Sequence, residues 1–141
     1  MDHLSQTRVV LDSNIYVSAF LFGGKPLRAV QLTEERAFCL LISDPLQAEV
    51  ERVLAEKFAY SQAMLAKSCW RIWKTAERIV PEIHIDLCRD PTDNRILECA
   101  VTGEAHYLVT SDRDLLDMPP VFRFKILKAD AFLRQMQNQT E

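Results

Sequence analysis

The four cysteines of this chain, Cys39, Cys69, Cys88 and Cys99, stand far apart, and no two have the C-x-x-C spacing of a zinc site. Core thiols in a reducing compartment are the expectation instead. The three histidines, His3, His84 and His106, are equally scattered and form no ligand cluster. Glycine is scarce. Gly23-Gly24-Lys25 lacks the upstream glycine of a phosphate-binding loop, and Pro26 stands where that loop needs Ser or Thr. No apolar run approaches the roughly 18 residues that span a bilayer, so no membrane helix is expected. Residues 1–7 show neither the basic nor the apolar region of a secretory signal, and a cytoplasmic protein is expected. Basic charge is not in excess: 17 Lys and Arg against 20 Asp and Glu leave −3. A polyanion would need a local basic rim or bound cations to be attracted.

What is present suits one globular domain. With 141 residues, the chain is long enough to enclose a core, expected over 8–137 with a polar tail at 138–141. Val9-Val10-Leu11 reads as a short strand buried on both faces. A helix follows from Ile15 to Phe22 and stops at Gly23-Gly24, after which Pro26 suits the N1 position of a second helix running to about Glu35. Phe38–Ser43 is an apolar second strand. Asp44 is placed to cap the next helix, with Pro45 at its first position and Leu46, Val50, Val53 and Leu54 as its stripe. Ser61–Val80 reads as the longest helix, its aromatics in the core and Lys67, Arg71, Lys74 and Arg78 on a solvated basic face. The alternation Ile83-His84-Ile85 predicts a third strand. A helix from Asp90-Pro91 to Gly103, a strand at His106–Thr110, a short helix after Asp112, a strand at Phe124–Leu127 and a helix at Ala129–Gln137 complete the chain. Alternating strands and helices imply an α/β fold, a parallel sheet with helices on both faces.

Each acid at these junctions has a plain structural use. Asp12 or Ser13 can cap the first helix, Asp90 and Asp93 can form a capping box, and Asp112 can cap the short helix. Glu49 flanks its helix stripe, where half-exposed acids are common. Asp93, however, falls in register with Ile96, Leu97, Ala100 and Val101, so it points with the buried stripe, where unpaired acids are rare. In a parallel sheet, ligands bind outside the carboxyl ends of the strands. Asp12 and Asp112 follow strands directly, and Glu49 and Asp93 sit in helices that start from that same edge. Four converging carboxylates repel or take up protons unless a cation joins them, and an all-oxygen set favours Mg²⁺ or Mn²⁺. Such a site polarises a phosphodiester and acidifies an attacking water. Asn14, Thr110, Ser111 and Asn94 are the expected polar surround. Arg95 and Arg113 are candidates for substrate phosphates, with an ion pair to a nearby acid as the competing use.

The ordered set Val9-Val10-Leu11-Asp12-Ser13-Asn14, a mid-chain helical Glu, Asp90-Pro91-Thr92-Asp93-Asn94 and Leu108-Val109-Thr110-Ser111-Asp112-Arg113-Asp114-Leu115-Leu116 resembles a PIN domain. Val17-Ser18-Ala19-Phe20-Leu21-Phe22-Gly23-Gly24, taken with Asp90–Asn94, resembles more narrowly the VapC-like PIN toxins of bacterial and archaeal toxin–antitoxin pairs. The likeness runs from about Val9 to Leu116. It implies a three-layer domain with strand order 3-2-1-4-5 and a metal-dependent endoribonuclease. The catalytic quartet it implies is Asp12, Glu49, Asp93 and Asp112, with Asp12, Asp93 and Asp112 on the metal and Asn14 and Thr110 beside them. Asp114 is a candidate fifth acid, and Glu51 lies close to Glu49 in the same helix. The resemblance also implies an RNA substrate, a cognate antitoxin and homodimers.

Other readings of these residues stay open. A phosphatase of the haloacid-dehalogenase type would use Leu11-Asp12, Ser43 and Asp112, although Asn14 stands where its second Asp belongs. A phosphoacceptor receiver domain would use Asp86 after the third strand with Lys125 or Lys128, but the paired acids after its first strand are missing. Neither gives Asp93 a role. A PIN fold that binds RNA or a partner without catalysis is the third.

Overall fold

Val9, Val10 and Leu11 are wholly buried because β1 (Arg8–Leu11) lies in the middle of the sheet. The computed structural model describes residues 6–139. Around β1 the sheet order is β3-β2-β1-β4-β5, with β2 (Cys39–Ile42), β3 (Glu77–Arg78), β4 (Tyr107–Val109) and β5 (Lys125–Leu127). Every pairing is parallel, with Val9 opposite both Leu40 and Tyr107. Seven helices among the described residues pack around this sheet: α1 (Ser13–Phe22), α2 (Gly24–Glu34), α3 (Asp44–Phe58), α4 (Gln62–Thr75), α5 (Pro91–Thr102), α6 (Arg113–Leu116) and α7 (Ala129–Gln139). No helix among them is long and apolar enough to cross a membrane. Helix α5 packs on β1 and β2, and α3 packs against both α1 and α5. The expected α/β architecture and strand order are what the chain adopts.

The local signals held where turn chemistry is strong. Asp12 caps α1 by accepting Ser13 N–H, Ser61 caps α4 by accepting Met64 N–H, and Asp90 caps α5 by accepting Thr92 N–H with Pro91 in the first turn. Only Gly23 separates α1 from α2. It and Gly24 adopt φ of 74° and 65°, which favour glycine, so α2 starts at Gly24 and Pro26 is its third residue, not its first. Asp44 is not a cap. It is the first residue of α3, follows Ser43 at the cap position, and reaches Arg78 at 2.7 Å.

The segment after α3 departs from expectation. α3, not α4, is the longest helix, and α4 stops at Thr75 instead of Val80. Residues Glu77 and Arg78 instead pair with Leu41 and Ile42 on the free side of β2, and Ile79 N–H donates to Ile42 C=O at 2.7 Å. These backbone bonds take residues 77–79 out of the helical register that Ala76 and Val80 would continue, and Val80 is exposed. The third strand is therefore not at Ile83–Ile85. There, only Ile85 is buried, and its N–H and C=O are taken by the Glu98 and Arg95 side chains of α5. One buried residue between exposed ones imitates a strand's alternation. The aromatics of α4 also divide: Trp73 packs edge-on against Tyr16, while Trp70 faces solvent. Cys69 and Cys99 are core thiols; Cys39 and Cys88 are half-buried, and all four are free.

Gly103 ends α5 at an ordinary φ of −79°, so space is what it supplies. A Cβ there would stand 2.7 Å from Leu41 Cδ1 and 3.0 Å from the Cys99 carbonyl. Gly103→Ala should cost about 1–3 kcal/mol, the scale of overpacking a filled core. Urea unfolding at pH 7 measures it, and an unchanged midpoint would mean that α5 slides on β2 without cost.

Candidate metal centre at the carboxyl edge of the sheet

Asp12 N–H donates to Val109 C=O and Thr110 N–H to Leu127 C=O, so backbone pairing continues up to the residues that leave the strands. From there three carboxylates meet. One oxygen each from Asp12, Asp93 and Asp112 lies within 4.8 Å of the other two. Asp12 is 2% and Asp93 4% exposed, while Asp112 is half-buried. Asp12 comes from the end of β1, Asp112 caps α6 after β4, and Asp93 enters from the first turn of α5.

Hydrogen bonds fix Asp12 tightly. Its Oδ1 accepts Ser13 N–H at 2.7 Å, and its Oδ2 accepts the Thr110 hydroxyl at 2.7 Å and Asn14 Nδ2 at 3.0 Å. Thr110 Oγ1 also accepts Asp112 N–H at 2.9 Å, so one buried hydroxyl sets the positions of two of the acids. Asn14 spans the same gap, its Oδ1 accepting Ser111 N–H at 3.2 Å. Burial pushes the Asp12 carboxyl upward, the bonds from Thr110 and Ser13 oppose this, and the Asp112 charge adds to it. Asp93 has no such support. Its Oδ2 is buried without a hydrogen-bond partner among the described residues. Burial first, then the neighbouring Asp112 carboxylate, push Asp93 up to about 8.

The other expected site residues are placed differently. Glu49 lies outside the close trio and pairs with Arg52 at 2.8 Å. Its neighbour Glu51 holds Trp73 Nε1 at 2.9 Å and Gln47, which is packing work. Asn94 faces away toward the preceding loop, its Oδ1 accepting N–H from Leu87 and Cys88. Arg95 is committed to Glu98 and the Ile85 carbonyl, Asp114 to Arg89 at 2.9 Å, and Arg113 is exposed with Asp117 3.8 Å away. Sequence reasoning missed Glu98. It is buried, and although burial opposes its charge, Ile85 N–H and Arg95 hold it below the usual carboxylate range. The spacing Arg95-x-x-Glu98 was the available signal.

A family model described as PIN domain matches residues 8–114 of this chain, a span that contains all four expected acids. The chain belongs to the PIN domain family. No curated protein sequence matches it. Among solved structures, a chain in the crystal structure of VapBC2 from Rickettsia felis, bound to a DNA fragment from their promoter, superposes with a TM-score of 0.54. The identity is 16%, over 85% of this chain and 97% of that one. The RRP44 PIN domain of T. brucei gives 0.51 at 13% identity, over 96% of this chain and 84% of that one. At these identities the likeness is one of fold, and it agrees with the strand order of this PIN domain.

The trio passes a test for a divalent cation on its own chemistry. It is an all-oxygen donor set, it is crowded with like charge, and one buried carboxylate oxygen lacks any donor. The linkage can be measured. An unfolded Asp releases its proton near pH 4, whereas folded Asp93 keeps its proton to about pH 8. Between those values the unfolded chain binds fewer protons, so metal-free stability falls as pH rises through that window and levels off above it. Asp93→Asn removes the penalty, which is on the order of a few kcal/mol. In EDTA at pH 8 the variant should melt at or above wild type, with the difference shrinking toward pH 4. Mg²⁺ should raise the wild type more, by roughly 2.7 kcal/mol at a hundred times its dissociation constant. A variant about 0.3–1 kcal/mol less stable in both conditions would instead mark Asp93 as a helix-end charge only.

Proposed function

We propose that this PIN domain is a metal-dependent endoribonuclease, with Mg²⁺ or Mn²⁺ at Asp12, Asp93 and Asp112, and that it is the toxin of a toxin–antitoxin pair. The observation that carries the reading is the carboxylate trio with the unpartnered Asp93 Oδ2. PIN domains form a nuclease family, and the chain's fold likeness to VapBC2 supports the toxin role and an antitoxin partner. A homodimer and a cytoplasmic location belong to the same reading.

A divalent cation supplies Lewis-acid polarisation of a phosphodiester oxygen and a more acidic attacking water. The protein's own part is positional. Thr110, Asn14 and Ser13 hold Asp12 with its oxygens fixed, and Thr110 aligns Asp112 to the same point. Asp93 brings the carboxylate whose free oxygen is left for the cation. Glu49, on a helix that packs against both α1 and α5, is the fourth acid of this proposal, with Arg52 balancing its charge. Asp114 and Arg113 follow Asp112 at the start of α6, and the exposed Arg113 would meet a substrate phosphate by giving up Asp117, 3.8 Å away. Asn14 serves as a donor to Asp12, which leaves no second acid for haloacid-dehalogenase chemistry. Asp86 is exposed and follows no strand, so a receiver-type phosphoacceptor lacks its position.

Incubation of the purified protein with RNA in Mg²⁺, Mn²⁺ or EDTA tests the proposal. Cleavage is expected with either metal and absent in EDTA. Asp12→Asn and Asp93→Asn should abolish it while remaining folded, and Thr110→Val should cost about 10–100-fold in metal affinity or activity. Full cleavage in EDTA, or by both Asp variants, would refute it. For the toxin role, expression in a bacterium should arrest growth, and the Asp12→Asn form should not. Equal arrest by both forms would separate toxicity from the site.

A further inference from the structure

The charge of this chain is unevenly spent. Arg28, Arg52, Arg95, Arg113 and Arg134, on α2, α3, α5, α6 and α7, each have a carboxylate partner within 4.0 Å. Helix α4 differs. Lys25 on α2 and Lys57 on α3 also lack an ion pair among the described residues, but those helices carry acids, whereas the 14 residues of α4 contain Lys67, Arg71 and Lys74 and no Asp or Glu. All three cations are exposed, and none has an ion pair among the described residues. The same solvent face presents Trp70, 59% exposed, with Lys74 Nζ 4.4 Å from its ring centroid. The buried side of the helix is complete without Trp70, being made by Leu65, Cys69 and Ile72. Packing therefore gives no reason for a tryptophan at this position, and burial elsewhere would be more favourable for so large a side chain.

Unpaired cations beside an exposed ring are the pattern that binds single-stranded nucleic acid: cations along the backbone and a stacking surface for a base. Placement agrees. One turn after Trp70, Trp73 packs edge-on against Tyr16 at 5.2 Å and donates to Glu51 of α3. Tyr16 is four residues after Asp12, so the C-terminal half of α4 is fixed to the helix that Asp12 caps. A net charge of −3 with three acids in the site offers RNA little general attraction, and a separate basic surface supplies it.

We infer that the exposed face of α4 is an RNA-contact surface. Lys67, Arg71 and Lys74 bind phosphates, and Trp70 stacks on a base of the strand that reaches the carboxylate trio. This rests on the ribonuclease reading and adds where the substrate lies. The test uses the full chain carrying Asp93→Asn, to prevent cleavage, and a labelled single-stranded RNA of about 15 nucleotides followed by fluorescence anisotropy at several salt concentrations. Trp70→Ala should weaken binding by roughly 5- to 150-fold, the range for loss of one stacked base, and Trp70→Phe should restore most of it. Changing Lys67, Arg71 and Lys74 together to Ala should flatten the slope of log K against log salt by about 2. Quenching of tryptophan fluorescence by RNA should be lost in Trp70→Phe. RNA cleavage by the otherwise wild-type chain is measured in parallel. If it cleaves RNA while every α4 variant keeps the parent's affinity and salt slope, α4 is not the RNA surface and the ribonuclease reading stands. If it neither binds nor cleaves RNA, both fail. A protein partner that loses affinity for the α4 variants while RNA binding is unchanged would also overturn the inference.

Discussion

Asp12 is held at the end of β1 by three donors, Ser13 N–H, the Thr110 hydroxyl and Asn14 Nδ2, and these bonds let a buried carboxylate sit beside two others. Two unit charges 4 Å apart repel by about 4 kcal/mol at an effective dielectric near 20. A hydrogen bond to a charged group returns about 1.5–3 kcal/mol. Three such bonds offset the repulsion at Asp12. Asp93, with Oδ2 unpaired, has no comparable compensation, and the strain of the cluster collects there. Both carboxyls are pushed upward, and at Asp93, raised to about 8, the Asp112 carboxylate adds to burial with no donor to oppose it.

Capping and clustering are not competing uses of these acids, because a carboxylate has two oxygens. Asp12 spends Oδ1 on the start of α1 and Oδ2 on Thr110 and Asn14. Asp112 spends Oδ1 on Asp114 N–H at the start of α6. The caps orient the side chains, and the sheet brings the capped helix ends together. Asp90 shows the contrast: both its bonds go to Thr92, it is exposed, and it stays outside the trio. Glu49, Glu98 and Asp114 are balanced individually by Arg52, Arg95 and Arg89, whereas Asp12, Asp93 and Asp112 have no ion pair among the described residues.

Sequence alone determined most of the elements, since they rest on local physics. A run of β-branched and aliphatic residues bounded by Asp-Ser-Asn marks β1, Asp-Pro marks the start of α5, and the i, i+3, i+4 spacing after Asp93 turns that acid inward. It also placed Asp12, Glu49, Asp93 and Asp112 at one edge, because α/β alternation brings every strand's carboxyl end there, and three of these four meet closely. Three matters were decided only in three dimensions. The third strand lies at Glu77–Arg78 because β2 offers a free edge there, a partner no local pattern encodes. Glu51 and Asn94 went to Trp73 and to the loop before α5, since each hydrogen-bonds whichever group the packing delivers. Trp70 faces solvent and Trp73 does not, because a difference of three residues on α4 acquires meaning only once α1 and α3 cover one side of it. Local chemistry thus fixes which residues can form a site, and long-range packing fixes which of them share it.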